Sequence, residues 1–421
     1  KTNSDSGFTA VAGEGYFLDT SSGTISVNLP AGTAGAVVAF KDYAGTFDTN
    51  NVTLVQNGSD KIGGSAVNAT LNTEGIAVTL VFIDSTQGWL VTDSGLQDEA
   101  PTTQYIAATG GTITTVCTNF KVHTFTGPGT FCVSNGGNAA GSNTVDYLVV
   151  AGGGAGGTTN GANGAGGGGG GAGGYRESPG AASGCYSVSP LGTSPAAALP
   201  VAVTSYPVTV GAGGATEPFP APGNSASNPG SNSVFAGTTT ITSAGGAGGS
   251  NFRDTANGGS GGGAADDDGV ANPAGGIGNS PPVSPPQGNP GGGNTSTGPF
   301  YGSGGGGGAT AVGGNGTNCA GGPGGAGATS SINGTPTARA GGGGGGTYAG
   351  PPGSGGDPDA AGGAGGGGKG SSYPRGDLNV AGTANTGGGG GGIGSNIPGS
   401  ANYPGKAGGS GIVIIRYKFQ N

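Results

Sequence analysis

Polar and apolar residues alternate over short distances in the first hundred residues, and the alternation has a period of two. Thr24-Ile25-Ser26-Val27-Asn28-Leu29 is the clearest case, a half-buried strand read directly from the pattern. Gly15 to Asp19, Ala36 to Asp42, Asn51 to Gln56 and Gly75 to Asp84 are similar runs rich in Val, Ile, Phe and Thr, separated by Gly, Asn and Asp. Asn57-Gly58 fits a tight turn. The pattern predicts an all-β module over residues 1–97, built as a sandwich of antiparallel strands. Residues 94–104 are polar and contain Pro101, which reads as a linker. A β-meander is expected over 98–150, with strands at Gly111 to Cys117, Lys121 to Phe125 and Thr130 to Ser134 and a turn at Thr126-Gly127-Pro128-Gly129.

From Ala151 the periodicity disappears. Two apolar runs, Val145 to Ala151 and Ile412 to Tyr417, bracket a stretch that returns repeatedly to polyglycine: 166–171, 304–308, 341–346, 365–368 and 387–392. No helical periodicity occurs there, so essentially no α-helix is expected.

Composition then decides what the glycine means. Gly and Pro make up 108 and 27 of 421 residues, a proportion found in disordered chains. Disordered chains usually carry high net charge, whereas only 8% of this one is charged. Collagen is excluded because the glycines come in consecutive blocks without a strict third-residue period. Glycine can also form the extended left-handed helix of three residues per turn and about 3.1 Å rise, which leaves every N–H and C=O pointing outward. Such helices can lie side by side because they have no Cβ, and bond to one another. Each net hydrogen bond returns about 1 kcal/mol against a backbone cost of about 1–2 kcal/mol per residue. A pair of such helices is therefore insufficient, and a multi-row bundle closed by apolar caps is required. The fold expected is an all-β N-terminal module followed by a polyglycine-II helix sandwich over 151–410, with a closing β-strand and tail at 411–421.

The segments Val145 to Gly154, Tyr206-Pro207-Val208-Thr209-Val210-Gly211-Ala212-Gly213-Gly214, Asn232-Ser233-Val234-Phe235 leading to Gly245 to Gly249, and Gly411 to Tyr417 together resemble the glycine-rich domain of bacteriophage tail-fibre adhesins. Those of phages infecting marine bacteria and cyanobacteria are the most similar. The resemblance covers about residues 103–419. It implies a packed sandwich of polyglycine helices whose variable loops contact the host surface. The first module looks like short repeats of cyanophage tail fibres, which implies a spacer or trimer-forming role.

Charge is uneven. Residues 1–150 hold 4 basic and 12 acidic side chains, and the remainder 8 and 9. A nearly neutral glycine region has no electrostatic footprint for nucleic acid. No apolar run approaches the ~18 residues of a membrane span, so membrane insertion is not expected. The chain begins at Lys1 and has no Met, which predicts a removed leader or an upstream segment.

Candidate chemistry is sparse. His123, the single histidine, falls on a predicted strand, where a packed or edge position is expected, and no nucleophile elbow accompanies it. Trp89 is expected in the core or at a subunit contact. Gly368-Lys369-Gly370 lacks the Ser or Thr of a nucleotide-binding loop. Asp266-Asp267-Asp268 does not reproduce calcium-loop spacing, and Asp357 with Asp359 is a weak hydrolytic pair. Cys117 and Cys132 are expected in adjacent strands, where a disulfide is feasible and free thiols are the alternative. Cys185 and Cys319 fall in loops. No spacing of the four matches a zinc site, so no metal and no cofactor are expected.

What remains is a set of aromatics beside polar or proline residues between the glycine blocks: Tyr175 with Glu177, Glu217 with Phe219, Phe252 with Arg253, Phe300 with Tyr301, Tyr348, Tyr373 with Arg375 and Asp377, and Tyr403. Rigid aromatic faces with adaptable hydrogen-bonding neighbours make recognition surfaces. The receptor-binding candidates are Phe252, Arg253, Tyr301, Tyr348, Tyr373, Arg375, Asp377 and Tyr403. The expected function is non-enzymatic: a virion tail-fibre adhesin, homotrimeric by resemblance, joined to other tail proteins and recognising a host glycan or outer-membrane protein. The alternative is a secreted filament or cell-surface matrix protein that self-assembles.

Overall fold

The structure, a computed structural model, describes residues 1–96, 103–158, 166–184, 186–192, 198–218, 221, 226–252, 254–265, 274–294, 301–318, 320–347, 359–372, 378–394 and 404–420. They form two compact units, Lys1–Thr102 and Thr103–Asn421. Among them the secondary structure is all β, apart from one 3-10 turn at Asn3–Asp5. Among the described residues no helix is long and apolar enough to cross a membrane.

The first unit has eight strands: β1 (Phe8–Thr9), β2 (Gly15–Leu18), β3 (Ile25–Asn28), β4 (Val37–Asp42), β5 (Val52–Val55), β6 (Ala69–Leu71), β7 (Ala77–Phe82) and β8 (Trp89–Gly95). Two four-stranded sheets, in the orders β1-β3-β5-β6 and β2-β4-β7-β8, enclose one core. The expected antiparallel pairing fails for half of it. β1–β3, β3–β5 and β2–β4 are parallel. The first five strands alternate between the sheets, so each returns to its own sheet pointing the same way. The alternating residues do what the pattern predicts: Ile25, Val27, Val38, Phe40, Val52, Leu54, Val78 and Leu80 are buried. Trp89 is in this core, against the edge of Phe82. Gly58 takes φ +54° in the turn predicted at Asn57-Gly58, which Asp60 N closes on Asn57 O at 2.9 Å. Asp42 is buried and accepts the amides of Gly45, Phe47 and Gly75 at 2.9–3.1 Å, tying two turns to β4. Ser94 and Gly95, expected in the linker, belong to β8, and residues 97–102 lie outside the described residues.

The second unit adds β9 (Ile106–Thr109), β10 (Thr112–Val116), β11 (Phe120–Phe125), β12 (Gly129–Gly136), β13 (Thr144–Val150), β14 (Tyr175–Glu177), β15 (Leu199–Pro200), β16 (Ser205–Thr209), β17 (Ser233–Ala236), β18 (Thr240–Ser243), β19 (Ala328–Ser330), β20 (Thr337–Arg339) and β21 (Ile412–Lys418). One sheet runs β10-β11-β21-β13-β14 and the other β18-β17-β16-β12-β9. Phe125, Phe131, Val133, Val145, Tyr147, Tyr206, Phe235, Val413, Ile415 and Tyr417 fill the space between them. The other face of β13 and β21, carrying Leu148, Val150, Ile412 and Ile414, is buried as well, under Tyr175, Ala328 and Ile332. Burial on both faces is why β21 reads as an unbroken apolar run.

The expected meander is divided between these sheets. β10 and β11 form a hairpin, but β12 pairs with β16 and β9. The Thr126-Gly127-Pro128-Gly129 turn therefore crosses from one sheet to the other, because Phe125 and Phe131 both enter the core between them. The same crossing separates Cys117 from Cys132, the two for which a disulfide was feasible. Cys117 follows β10 in one sheet, Cys132 lies on β12 in the other, and the two are not joined to each other.

The glycine rows are continuations of the strands. β13 runs into 151–157 and 166–174 runs back into β14, so the two sheets grow directly into a lattice. Row 166–174 has a period of three. Gly167, Gly170 and Gly173 donate to Ile393, Gly390 and Gly387; Gly168, Gly171 and Gly174 to Ser250, Ala247 and Ala244; Gly169 and Ala172 to Gly304 and Gly307. Its carbonyls accept in the same way, from Ala151, Gly154 and Gly157, from Ser260 and Gly263, and from Gly343 and Gly346. The row thus bonds to six neighbours at 2.7–3.1 Å, which a strand with its period of two cannot do. This is the polyglycine-II packing expected from composition. The reason for glycine is steric: a Cβ on Gly170 would sit 2.2 Å from Gly154 O, and one on Gly169 2.1 Å from Gly343 O. Outer rows relax the rule every third residue, where Ala212 and Ala215, Val312 and Asn315, and Ala361 and Ala364 are exposed.

His123 is fully buried in β11. Its Nδ1–H donates to Gly110 O at 2.7 Å, and its Nε2 accepts from the Tyr417 hydroxyl at 3.1 Å. Burial holds its pKa below the ordinary imidazole value, and Lys121 adds to the effect. The unfolded chain therefore takes up this proton at a higher pH than the folded one. The stability of residues 103–421 should be fully present above about pH 6.5 and fall as pH drops through the folded pKa. Urea midpoints read by tyrosine circular dichroism should show this slope, and His123→Phe should flatten it. Gly170→Ala should destabilise the same unit by about 3 kcal/mol or more, since no backbone neighbour can retreat. Gly127→Ala, with open space around the position, should change stability by less than about 0.5 kcal/mol.

Candidate functional site

Each row runs away from the sheets or back toward them, so the row ends collect at two places. At one, the chain enters strands or short turns. At the other, glycine gives way to Ser, Thr and Asn, and side chains take over the hydrogen bonds that row contacts make elsewhere. Thr158, Glu217, Ser227, Asn251, Asn294, Ser303, Thr347, Ser371, Ser372 and Asn379 form this belt, all of them buried.

Asn251 is its best-connected member. Its Oδ1 accepts from Thr158 N at 2.8 Å and Ser227 Oγ at 2.7 Å, and its Nδ2 donates to Glu217 Oε2 at 3.0 Å. Thr158 Oγ1 in turn accepts from Gly405 N at 2.9 Å, which brings in the row that leads to β21. Five row ends meet in this way, at Thr158, Glu217, Ser227, Asn251 and Gly405. Elsewhere on the belt, Ser303 Oγ donates to Gly166 O at 2.7 Å, Asn294 Nδ2 to Ala265 O at 2.8 Å and Asn379 Nδ2 to Pro404 O at 3.1 Å. Single bridges join Gly302 to Thr347 and Thr347 to Ser372.

The predicted receptor contacts distribute unevenly about this belt. Phe252 follows Asn251 but is only 5% exposed, so it packs among the row ends and is not a surface contact. Tyr301 is half-buried beside Gly302, with φ +40°. Arg253, Tyr348, Tyr373, Arg375, Asp377 and Tyr403 lie outside the described residues, as do Phe219, Phe300, Asp266, Asp267, Asp268, Asp357, Cys185 and Cys319. In the chain, however, Arg253, Tyr348, Tyr373 and Tyr403 each stand within two residues of Asn251, Thr347, Ser372 or Pro404. Asp359 has an ion pair with Lys369 Nζ at 3.0 Å.

Tyr175 and Glu177, expected at a loop, are at the opposite end, buried in β14. Glu177 accepts from the Tyr175 hydroxyl and from Ser189 N, each at 3.0 Å, and from the Ser330 hydroxyl. Burial pushes its carboxyl above the usual carboxylate range, against the pull of those donors. Beside it, Asp146 accepts from Ser178 Oγ at 2.8 Å and Ser183 Oγ at 2.5 Å. Opposite Asp146 in the ladder, the Arg416 guanidinium lies between the rings of Phe120 and Tyr186 at 4.8 and 5.0 Å and donates to Ile332 O at 3.1 Å. These groups clamp 178–192 and 328–339 over the sheet, a structural task. Among the described residues no cluster of His, Cys, Asp and Glu could hold a metal ion.

Sequence reasoning missed the belt because its members are common polar residues. The available signal was their place close to glycine runs, directly after one for Thr158, Asn294, Thr347 and Ser371 and directly before one for Ser303.

Two family models match the chain. Residues 126–418 match the glycine-rich domain, and residues 1–96 match the bacteriophage T4 gp9/10-like protein, N-terminal. Baseplate wedge protein gp10 of Enterobacteria phage T4 is 39% identical over 85 residues, which are 19% of this chain and 14% of that protein.

Asn251→Ala should leave Thr158 N and the Ser227 hydroxyl without their acceptor and cost about 1–3 kcal/mol. Hydrogen exchange should show the loss confined to the amides of 156–158, 226–228 and 248–251, with row 166–174 still protected.

Proposed function

We propose that this chain, which belongs to the glycine-rich domain family, is a phage tail protein that recognises the host cell surface through the segments joining its glycine rows. The first module supports the setting, since residues 1–96 match a phage T4 gp9/10-like N-terminal domain and gp10 is a baseplate wedge protein. The chain covers only 14% of that relative, so a place on the baseplate is carried over as part of the proposal.

The observation that carries the recognition reading is topological. Row after row turns at one belted end, and the segments 219–225, 266–273, 295–300, 348–358, 373–377 and 395–403 attach there in the chain. These segments contain Phe219, Phe300, Tyr348, Tyr373 and Tyr403 together with Asn, Ser, Asp and Pro, a composition suited to contact surfaces. A lattice bonded in six directions gives such segments fixed points of attachment, which lowers the ordering cost of binding. The partner is a host glycan or outer-membrane protein, the act is binding without catalysis, and the assembly is a homotrimer attached to other virion proteins.

Exchanging 348–358 and 373–377 for the corresponding lengths of Gly and Ser should abolish adsorption of the particles to host cells while the protein still assembles. Unchanged adsorption after all six segments are exchanged would sink the reading. Light scattering of the purified chain should give a closed trimer; an open-ended polymer would favour an extracellular filament instead.

A further inference from the structure

The two sheets of the first unit have unlike outer faces. On β1-β3-β5-β6 the outward row Ser26, Thr53, Thr70 is polar, and the row beside it is Thr9, Asn28 and Val55, with one apolar member. On β2-β4-β7-β8 the outward row is Val37, Val81, Leu90, flanked by Ala39 and Ala77. Phe17, paired with Lys41 on the same face, is 64% exposed, and Ile83 just beyond β7 is 44% exposed. β4 and β7 thus carry apolar residues on both faces, Val38, Phe40, Val78 and Leu80 inward and Val37, Ala39, Ala77 and Val81 outward, with Lys41 and Thr79 as the polar outward members. Apolar residues on both faces are usual in sheets that are covered on both sides. The polar sister sheet shows that the sandwich alone does not require this.

The charges around the face say what covers it. Residues 1–96 hold three lysines and nine carboxylates. Glu14 precedes β2, Glu74 precedes β7, Asp84 follows it and Asp93 is on the edge strand; all four are exposed. Within the four strands of the face Lys41 is the one cation. A second copy would bring carboxylates against carboxylates, whereas a basic rim would be attracted and steered.

We propose that the outer face of β2-β4-β7-β8 is the docking surface for another virion protein, one presenting an apolar patch flanked by lysine or arginine. The proposal rests on the reading of this chain as a virion protein, but not on host recognition. The face supplies contact area through Phe17, Val37, Val81 and Leu90, and the carboxylates orient the partner.

The test places a photo-crosslinking phenylalanine analogue at Val37 in the full chain and assembles it into particles. The expected adduct joins a different virion chain, at a peptide with Lys or Arg beside apolar residues. An adduct with a second copy or with the glycine-rich unit of this chain, an adduct at a peptide without basic residues, or no adduct would each overturn the proposal. In parallel, Val81→Glu should cut incorporation into particles by at least tenfold, and Thr53→Glu on the polar sheet should not. Trp89 fluorescence reports whether the Val81→Glu unit is folded; a folded variant incorporated normally would also refute the proposal. Particles that incorporate the chain and fail only in adsorption after loop exchange would isolate the host-recognition reading from this one.

Discussion

Main-chain hydrogen bonding between rows that have no side chains between them is the constraint on which the rest of the second unit depends. In an ordinary domain, the core is made of side chains and the backbone is satisfied within each element. Here the order is reversed. Gly167, Gly168 and Gly169 donate in three directions, toward Ile393, Ser250 and Gly304, and the next three residues repeat those directions. Each bond contributes only about 1 kcal/mol, so the arrangement holds because it is repeated in two dimensions. Removing Cβ is the condition for that repetition, since the space a Cβ would occupy already contains a neighbour's carbonyl oxygen.

A lattice of this kind has no intrinsic end, and the two ends are closed by different chemistry. Toward the sheets, rows become strands at nearly the same spacing, and the apolar groups that polyglycine lacks appear at once: Val149, Val150, Ile412 and Val413 are buried where rows meet β13 and β21. Charged groups there are kept for clamping, with Asp146, Glu177 and Arg416 holding the covering segments in place. Away from the sheets, side-chain amides and hydroxyls replace the missing row contacts. That end can therefore release chain in many places without leaving buried backbone groups unpaired. The asymmetry between an apolar end and a polar, chain-releasing end is the reason the proposed recognition is assigned to the second.

Strand positions were legible because burial on one side leaves a period of two, as in Ile25, Val27, Val52 and Leu54. Pairing direction was not, because alternation says which face is buried and nothing about which strand lies alongside. The parallel β2–β4 pair and the division of β11 and β12 between sheets follow from the route of the chain. Cys117 and Cys132 illustrate the same limit: close in sequence, one follows a strand of one sheet and the other lies in the second sheet. Tyr175 and Phe252 were misplaced for a related reason, since an aromatic beside a polar residue looks the same whether the polar group faces water or closes a buried network.

By itself the sequence determined that glycine rows must pack on one another, because blocks without Cβ, with little charge and apolar runs at both margins, leave main-chain bonding as the one route to order. It also determined the absence of helical periodicity and the two-residue alternation of the first module. Only the tertiary structure decided which row bonds to which, that the row ends gather into a belt around Asn251 and Thr347, and that one sheet of the first unit has an apolar outer face. Those facts depend on contacts between residues up to hundreds of positions apart, and glycine blocks that are nearly identical in sequence contain no label that could specify their neighbours.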